Sequence, residues 1–68
     1  MIDTNALRGV IAANGLSQQD VAREIGISSK TFYSKMKRGV FGSNEMEAMI
    51  DLLSIENPQA IFFAKKST

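Results

Sequence analysis

Apolar residues recur along this chain at intervals of three and four, the spacing that places side chains on one face of an α-helix. Segments with this spacing alternate with glycine, serine and asparagine, which cap helices or stop them. Neither the alternation of a half-buried strand nor an internal repeat is present. The pattern therefore predicts one compact all-α domain of five short helices over residues 1–64, followed by a frayed tail over residues 65–68.

Each of the first three predicted helices begins at a side chain that accepts a hydrogen bond from a helix N–H group and ends at a glycine. Glycine suits that end because it adopts a positive φ at no steric cost. The predicted caps are Asp3 or Thr4, Ser17 and Ser28, and the predicted stops are Gly15, Gly26 and Gly39.

The fourth and fifth predicted helices follow the same rules. Ser43 is the predicted cap of the fourth, and Asn57 with Pro58 reads as the cap and first residue of the fifth. The fifth helix is expected to carry Ile61, Phe62 and Phe63. The predicted inward-facing residues of the first four helices are Leu7, Val10, Ile11, Val21, Ala22, Ile25, Phe32, Met36, Met46, Met49, Ile50 and Leu53.

Composition narrows the chemistry open to such a domain. The 68 residues include no cysteine and no histidine, which removes the usual zinc ligands and the usual general base. So small a chain has little room for both a core and a catalytic cleft. We therefore expect no enzyme activity and no cofactor, metal or small-molecule ligand. The start of the chain lacks a targeting pattern, and no apolar run approaches a membrane span. The absence of cysteine agrees with the expected cytoplasmic location.

The net charge of +1 conceals an uneven distribution. Residues 28–41 carry four cations and no acid, so this segment alone has a charge of +4. Such a local field attracts an anionic partner whatever the total charge of the chain. The four cations are Lys30, Lys35, Lys37 and Arg38.

Residues 17–39, SQQDVAREIGISSKTFYSKMKRG, have the features of a helix-turn-helix. Ala22 is small enough for the second and third helices to approach closely, and Gly26 allows the positive φ that the corner needs. Ile27 and Phe32 then seal the angle between the helices. This arrangement is how small proteins place a recognition helix in a DNA major groove.

A helical wheel separates the outer face of the third helix from its buried face. With Phe32 at zero and ~100° per residue, Lys30, Ser34 and Lys37 fall together at roughly 140–200° and form an outer stripe. The N-terminal part of a recognition helix meets base edges, so we predict base contacts from Ser29, Lys30 and Ser34. The predicted DNA backbone contacts are Gln18, Ser28, Tyr33, Lys35, Lys37, Arg38, Ser43 and Asn44.

The segment LSQQDVAREIGISSKTFYSKMKRG resembles the helix-turn-helix of the Cro/CI-type (lambda-repressor-like) DNA-binding family, and the later segment LLSIENPQAIFF is similar to that family's last helices. The resemblance implies a phosphate contact from Gln18 and base contacts at the positions named above. Short members of the family are typically phage or prophage Cro-like regulators, which implies lysis–lysogeny control in the cytoplasm of a bacterial host. The chain departs from the family at Lys35, where an apolar residue is common.

Two adjacent aromatic residues in the fifth helix predict an interface. Neighbouring helix residues point about 100° apart, so Phe62 and Phe63 are not both expected inside so thin a domain. The fifth helix of related domains is often a dimer contact, and we predict a homodimer or partner interface at Ile61, Phe62 and Phe63. A dimer of this kind binds two half-sites ~34 Å apart on a near-palindromic operator of double-stranded DNA.

Two functions from different classes fit these features. The first is a sequence-specific DNA-binding transcriptional regulator of the Cro or repressor type. The alternative is a protein-interaction module on the same scaffold, acting as an antirepressor or co-repressor by binding a partner repressor. The first is the leading hypothesis. Three features motivate the alternative: the low net charge, the short side chains at the reading positions, and a surface at Phe62 and Phe63.

Overall fold

The computed structural model describes residues 2–63, and over this range the chain folds into five α-helices without a strand. The all-α prediction is therefore confirmed for these residues. The predicted tail at residues 65–68 lies outside them. In chain order the helices are α1 (Thr4–Ala13), α2 (Gln18–Ile25), α3 (Ser29–Arg38), α4 (Ser43–Leu53) and α5 (Pro58–Phe62).

The predicted caps hold the starts of the first helices. Asp3, rather than Thr4, caps α1: its Oδ1 accepts a hydrogen bond from the Ala6 N–H at 3.0 Å. At α2, Ser17 Oγ accepts from the Asp20 N–H at 3.1 Å, and Asp20 Oδ2 accepts from the Ser17 N–H at 2.8 Å. This reciprocal pair is a capping box, which satisfies two N–H groups that a helix start leaves without partners.

The prediction that Ser43 caps α4 is wrong. The cap is Gly42, whose N–H donates to Glu45 Oε1 at 2.8 Å and whose carbonyl accepts from the Met46 N–H at 2.9 Å. The carboxylate of Glu45 thus satisfies the helix start from within the first turn. Ser43 becomes the first residue of the helix instead of its cap.

The fifth helix is one residue shorter than predicted. Pro58 stands at its first position, directly after Asn57, as the sequence indicates, although the Asn57 side chain makes no capping bond. The helix ends at Phe62, because Phe63 leaves helical geometry with φ −125° and ψ 31°. The prediction that Phe63 belongs to the helix is therefore wrong.

Long-range hydrogen bonds join the ends of the helices. The Asp3 N–H donates to the Ile61 carbonyl at 2.7 Å and holds the short α5 against the start of α1. Asn14 Nδ2 donates to the Leu53 carbonyl at 3.3 Å, which joins the end of α1 to the end of α4. These two bonds fix the start of α1 to α5 and the end of α1 to the end of α4.

The core of the described residues is formed by apolar side chains alone, with no buried polar residue among them. Helix α2 contacts α1, α3 and α4, so it is the central element against which α3 is positioned. Four predicted inward residues, at positions 10, 25, 46 and 50, are partly buried and pack against this core. The buried residues are Ile2, Leu7, Ile11, Val21, Ala22, Phe32, Met36, Phe41, Met49, Leu53, Ile61 and Phe62.

Gly9 lies inside α1, although no neighbouring atom requires a glycine there. A Cβ at this position meets nothing within 4 Å. Because glycine in a helix interior is less favourable than alanine, we expect Gly9→Ala to raise the free energy of unfolding by roughly 0.5–1 kcal/mol. Urea denaturation followed by circular dichroism measures the change.

The matched control for this substitution is Gly26→Ala. Gly26 is also surrounded by open space, but its φ is +84°. Alanine there is strained by its backbone conformation, so this variant is expected to be less stable than the wild type. A loss of stability in Gly9→Ala would contradict the exposure of this face of α1.

Candidate nucleic-acid interface

The turn between α2 and α3 is closed by backbone geometry at the predicted residues. Gly26 adopts φ 84° and ψ 26°, and the Ile27 N–H donates to the Ala22 carbonyl at 2.9 Å. Ala22 is buried, and Ile27 is partly buried against the core. Ala22, Gly26 and Ile27 therefore lie at the corner, as predicted. At this corner α3 packs against α2.

Two buried side chains anchor α3 and decide which of its faces is exposed. Phe32 and Met36 lie in the core, and the Phe32 ring packs on the ring of Phe41 with centroids 5.2 Å apart. Ser28 caps the helix by accepting from the Thr31 N–H at 3.1 Å. With its inner face fixed in this way, α3 presents its opposite face to solvent.

The outer stripe is exposed along its whole length. Lys30, Ser34 and Lys37 all lie on the surface, as the wheel predicts. Ser29 is half-buried, in keeping with its wheel position about 60° from Phe32. The flanking residues of the exposed face are Thr31, Tyr33 and Arg38.

Lys35, one of the predicted backbone contacts, has its ammonium bound to an acid of the next helix. Its Nζ lies 2.7 Å from both Oε1 and Oε2 of Glu45. The two side chains are 30% and 17% exposed. The wheel position of Lys35, about 60° from Phe32 on the other side, is a sequence signal for partial burial. No pattern in the sequence indicates that Glu45 is the acid that pairs with Lys35.

The remaining cations of α3 keep the outer face positive. Lys30, Lys37 and Arg38 make no ion pair with any acid of residues 2–63. The pairing of Lys35 thus reduces the positive charge available to a ligand, but it leaves three cations along one helix without an acid beside them in the sequence. This field attracts an anion.

The other predicted backbone contacts lie at helix starts. Gln18 is the first residue of α2 and is half-buried, whereas Ser43 and Asn44 are exposed in the first turn of α4. The Ser28 hydroxyl is engaged in the cap, since it also donates to Thr31 Oγ1 at 2.8 Å. Any phosphate contact from Ser28 would compete with that bond.

The predicted interface residues of the C-terminal helix divide into buried and exposed members. Ile61 and Phe62 belong to the core, while Phe63 is 58% exposed. The expectation that one of the two adjacent aromatics is exposed is confirmed. Phe63 is thus the member of the predicted set that a partner can reach.

Phe63 and the exposed Val40 border an open apolar groove. The groove is lined by Ile2, Gly39, Val40, Phe41, Met46, Phe62 and Phe63.

Two carboxylates near the candidate interface have lowered pKa values. The hydrogen bonds from Lys35, helped by the Gly42 N–H, hold the pKa of Glu45 below its ordinary value of 4.5, against the opposing effect of burial. Hydrogen bonds from the Ser17 N–H and hydroxyl likewise lower the pKa of Asp20, and the charge of Arg23 contributes further. Both carboxylates are therefore ionised at neutral pH and favour the folded state in that form.

The pKa of Glu45 predicts how stability depends on pH. Its contribution is complete above the unfolded-state pKa and is lost as the pH falls through the lower folded-state value. We expect Glu45→Gln to melt below the wild type near about pH 7, and the difference in Tm to shrink as the pH falls below the ordinary value of 4.5 and through the lower folded-state value. Thermal unfolding of the wild type and of Glu45→Gln, measured from neutral to acidic pH, tests this prediction. A difference that stays constant with pH would show that ionised Glu45 does not stabilise the fold.

Residues 2–63 contain neither a candidate membrane span nor a candidate metal site. None of the five helices has the length and apolar character needed to cross a bilayer. Residues 2–63 contain no group of three or more acidic side chains arranged to hold a metal ion.

Comparison with known proteins gives no match: no family model fits the sequence, and no curated protein or solved structure is similar enough to count. Any functional proposal for this chain therefore starts from its own residues. The features available are α2, the turn at Gly26 and the exposed face of α3.

Proposed function

We propose that this protein is a sequence-specific DNA-binding transcriptional regulator of the Cro/CI type, whose helix-turn-helix inserts α3 into the major groove. One observation carries the proposal: α3 exposes the outer stripe while Phe32 and Met36 fix its opposite face in the core. A helix held in this way can enter a groove with its cations exposed, and no part of the domain has to unfold. Residues 28–41, which include α3, contain no acid that would repel phosphates.

The side chains divide between base and backbone recognition. Lys30, near the start of α3, has the chemistry to donate to O6 and N7 of guanine, whereas Ser29 and Ser34 discriminate less between bases. Lys37 and Arg38 lie further along the helix and pair with phosphates. The helix starts at Gln18, Ser43 and Asn44 add phosphate contacts through N–H groups and side chains.

The proposed oligomer is a homodimer that reads a near-palindromic operator. Phe63 protrudes beside an apolar groove that Val40 also borders. A protruding aromatic and a groove on one face suit a two-fold interface, in which each copy supplies both features to the other. Such a regulator would act in the cytoplasm of a bacterial host, and the resemblance to short phage regulators favours lysis–lysogeny control.

Selection from random double-stranded DNA, followed by gel shifts on the selected duplex, tests the proposal. Each phosphate that the protein neutralises changes log K by about −0.9 per unit of log salt concentration. We expect affinity to fall steeply between about 50 and 200 mM salt. Binding that barely changed over this range would exclude the phosphate contacts, and failure to select any sequence would exclude the function.

The exposed groove at Phe63 supports a second function, in which the scaffold binds a partner repressor instead of DNA. This protein would then act as an antirepressor or co-repressor. Gel shifts separate the two functions. A shift with the purified protein alone supports the regulator, whereas no shift alone, but a shift or release when a partner repressor is present, supports the interaction module.

A further inference from the structure

The ion pair between Lys35 and Glu45 joins the second half of α3 to the first turn of α4. Both carboxylate oxygens lie 2.7 Å from the ammonium, and both side chains are partly shielded from solvent. Helix α3 makes its principal helix contact with α2 rather than with α4. The pair is therefore a direct tie between two elements that otherwise touch little.

The same two residues also hold both ends of the connection between these helices. The Lys35 carbonyl accepts from the N–H groups of Gly39 and Val40, at 2.8 and 3.1 Å. Glu45 Oε1 accepts from the Gly42 N–H at 2.8 Å. The carboxylate of Glu45 thus links the α4 end of the connection to the ion pair, whereas the bonds at the α3 end are made by the Lys35 backbone.

We infer that Lys35 and Glu45 are positioning residues for DNA binding: their ion pair sets the start of α4 relative to α3, and Lys35 acts by holding Glu45 and not by neutralising a phosphate. The inference deepens the proposed function and rests on it. The first turn of α4 carries the exposed Ser43 and Asn44, which the proposed function assigns to the DNA backbone. Their placement beside α3 follows from the pair.

An electrostatic role and a positioning role predict opposite effects for the removal of Glu45. Glu45→Gln removes an acid beside the DNA-binding face and releases the Lys35 ammonium. If charge alone mattered, DNA binding would become tighter. If the pair positions α4, the same substitution loosens the connection and binding becomes weaker. The sign of the effect therefore separates the two roles.

A double-mutant cycle on the selected DNA duplex makes the test, with Lys35→Met, Glu45→Gln and the combined variant. We expect each single substitution to weaken binding about fivefold, the fold-change that corresponds to roughly 1 kcal/mol. The combined variant should bind as weakly as the singles, since both remove one shared interaction. Glu47→Gln, which removes an exposed acid of the same helix, is the matched control and should not weaken binding.

The salt dependence of binding gives a second readout that does not need Glu45→Gln to fold. Lys35→Met should leave the salt slope unchanged, whereas loss of a phosphate contact would reduce it by about 0.9. Tighter binding by Glu45→Gln, a combined variant restored to wild-type affinity, or a reduced slope in Lys35→Met would each overturn the inference. If the wild-type protein selects no DNA, the proposed function is wrong and the inference fails with it. If the wild type binds DNA and the variants bind equally well, the inference alone is wrong.

Discussion

Phe32→Ala is expected to lose about 3–5 kcal/mol of unfolding free energy, the usual cost of emptying a fully buried aromatic site. The Phe32 side chain is 0% exposed, and it joins α3 to the core and to the ring of Phe41. Small domains have roughly 5 kcal/mol of stability in total, so the variant should keep at most about 2 kcal/mol and a measurable fraction of it should be unfolded. Urea denaturation followed by circular dichroism measures the loss.

The chain supplies a matched control for this substitution in Phe63→Ala. The chemical change is identical, but Phe63 is 58% exposed. Surface substitutions of this kind usually alter stability by less than about 0.5 kcal/mol. Equal losses in the two variants would contradict the division between the buried face of α3 and the exposed Phe63. Gel filtration of Phe63→Ala also tests the proposed homodimer, because loss of the protruding ring should shift the protein towards monomer.

Lys30→Ala is expected to weaken binding to the selected operator by about 1–3 kcal/mol and to relax the preference at one base position. The reason is its place near the start of α3, on the exposed outer stripe, where recognition helices meet base edges. Its effect on random DNA should be smaller, since random sequences seldom offer the matching guanine. Binding of the variant to the operator, to single-base variants of it and to random duplex gives the comparison.

Lys37→Ala is the companion variant, because it removes the same charge further along the same stripe. It should weaken binding to all sequences alike and reduce the salt slope by about 1. Arg8→Ala removes a cation from α1, away from the stripe, and should leave both quantities unchanged. If Lys30→Ala and Lys37→Ala behaved identically on operator and random DNA, the division between base and phosphate contacts would be wrong.

Local chemistry explains why most of the helix boundaries could be predicted. Asp3, Ser17 and Ser28 accept from N–H groups three residues later, and Gly26 and Gly39 adopt positive φ where glycine is favoured. Each of these interactions lies within one helical turn, so the residues that decide it are adjacent in the sequence. The spacing of apolar residues is equally local, which is why the buried and exposed faces of α3 were predictable.

The start of α4 shows where local reasoning stops being sufficient. Both Ser43 and the carboxylate of Glu45 have suitable chemistry to satisfy a helix start, and the sequence does not rank them. The observed start uses Glu45, which bonds to the Gly42 N–H and at the same time to Lys35 from the preceding helix. A capping interaction that also forms an ion pair is favoured over one that a serine makes alone.

The sequence by itself determined that residues 2–63 form helices without a strand, where α2 and α3 begin and end, and that Lys30, Ser34 and Lys37 share an exposed face. Helical periodicity and capping depend only on residues within a few positions of each other. The tertiary structure decided that Lys35 is bound to Glu45, and that Phe62 is buried while Phe63 is exposed. Those outcomes depend on how α3, α4 and α5 pack around α1 and α2, and packing brings together residues that no local pattern relates.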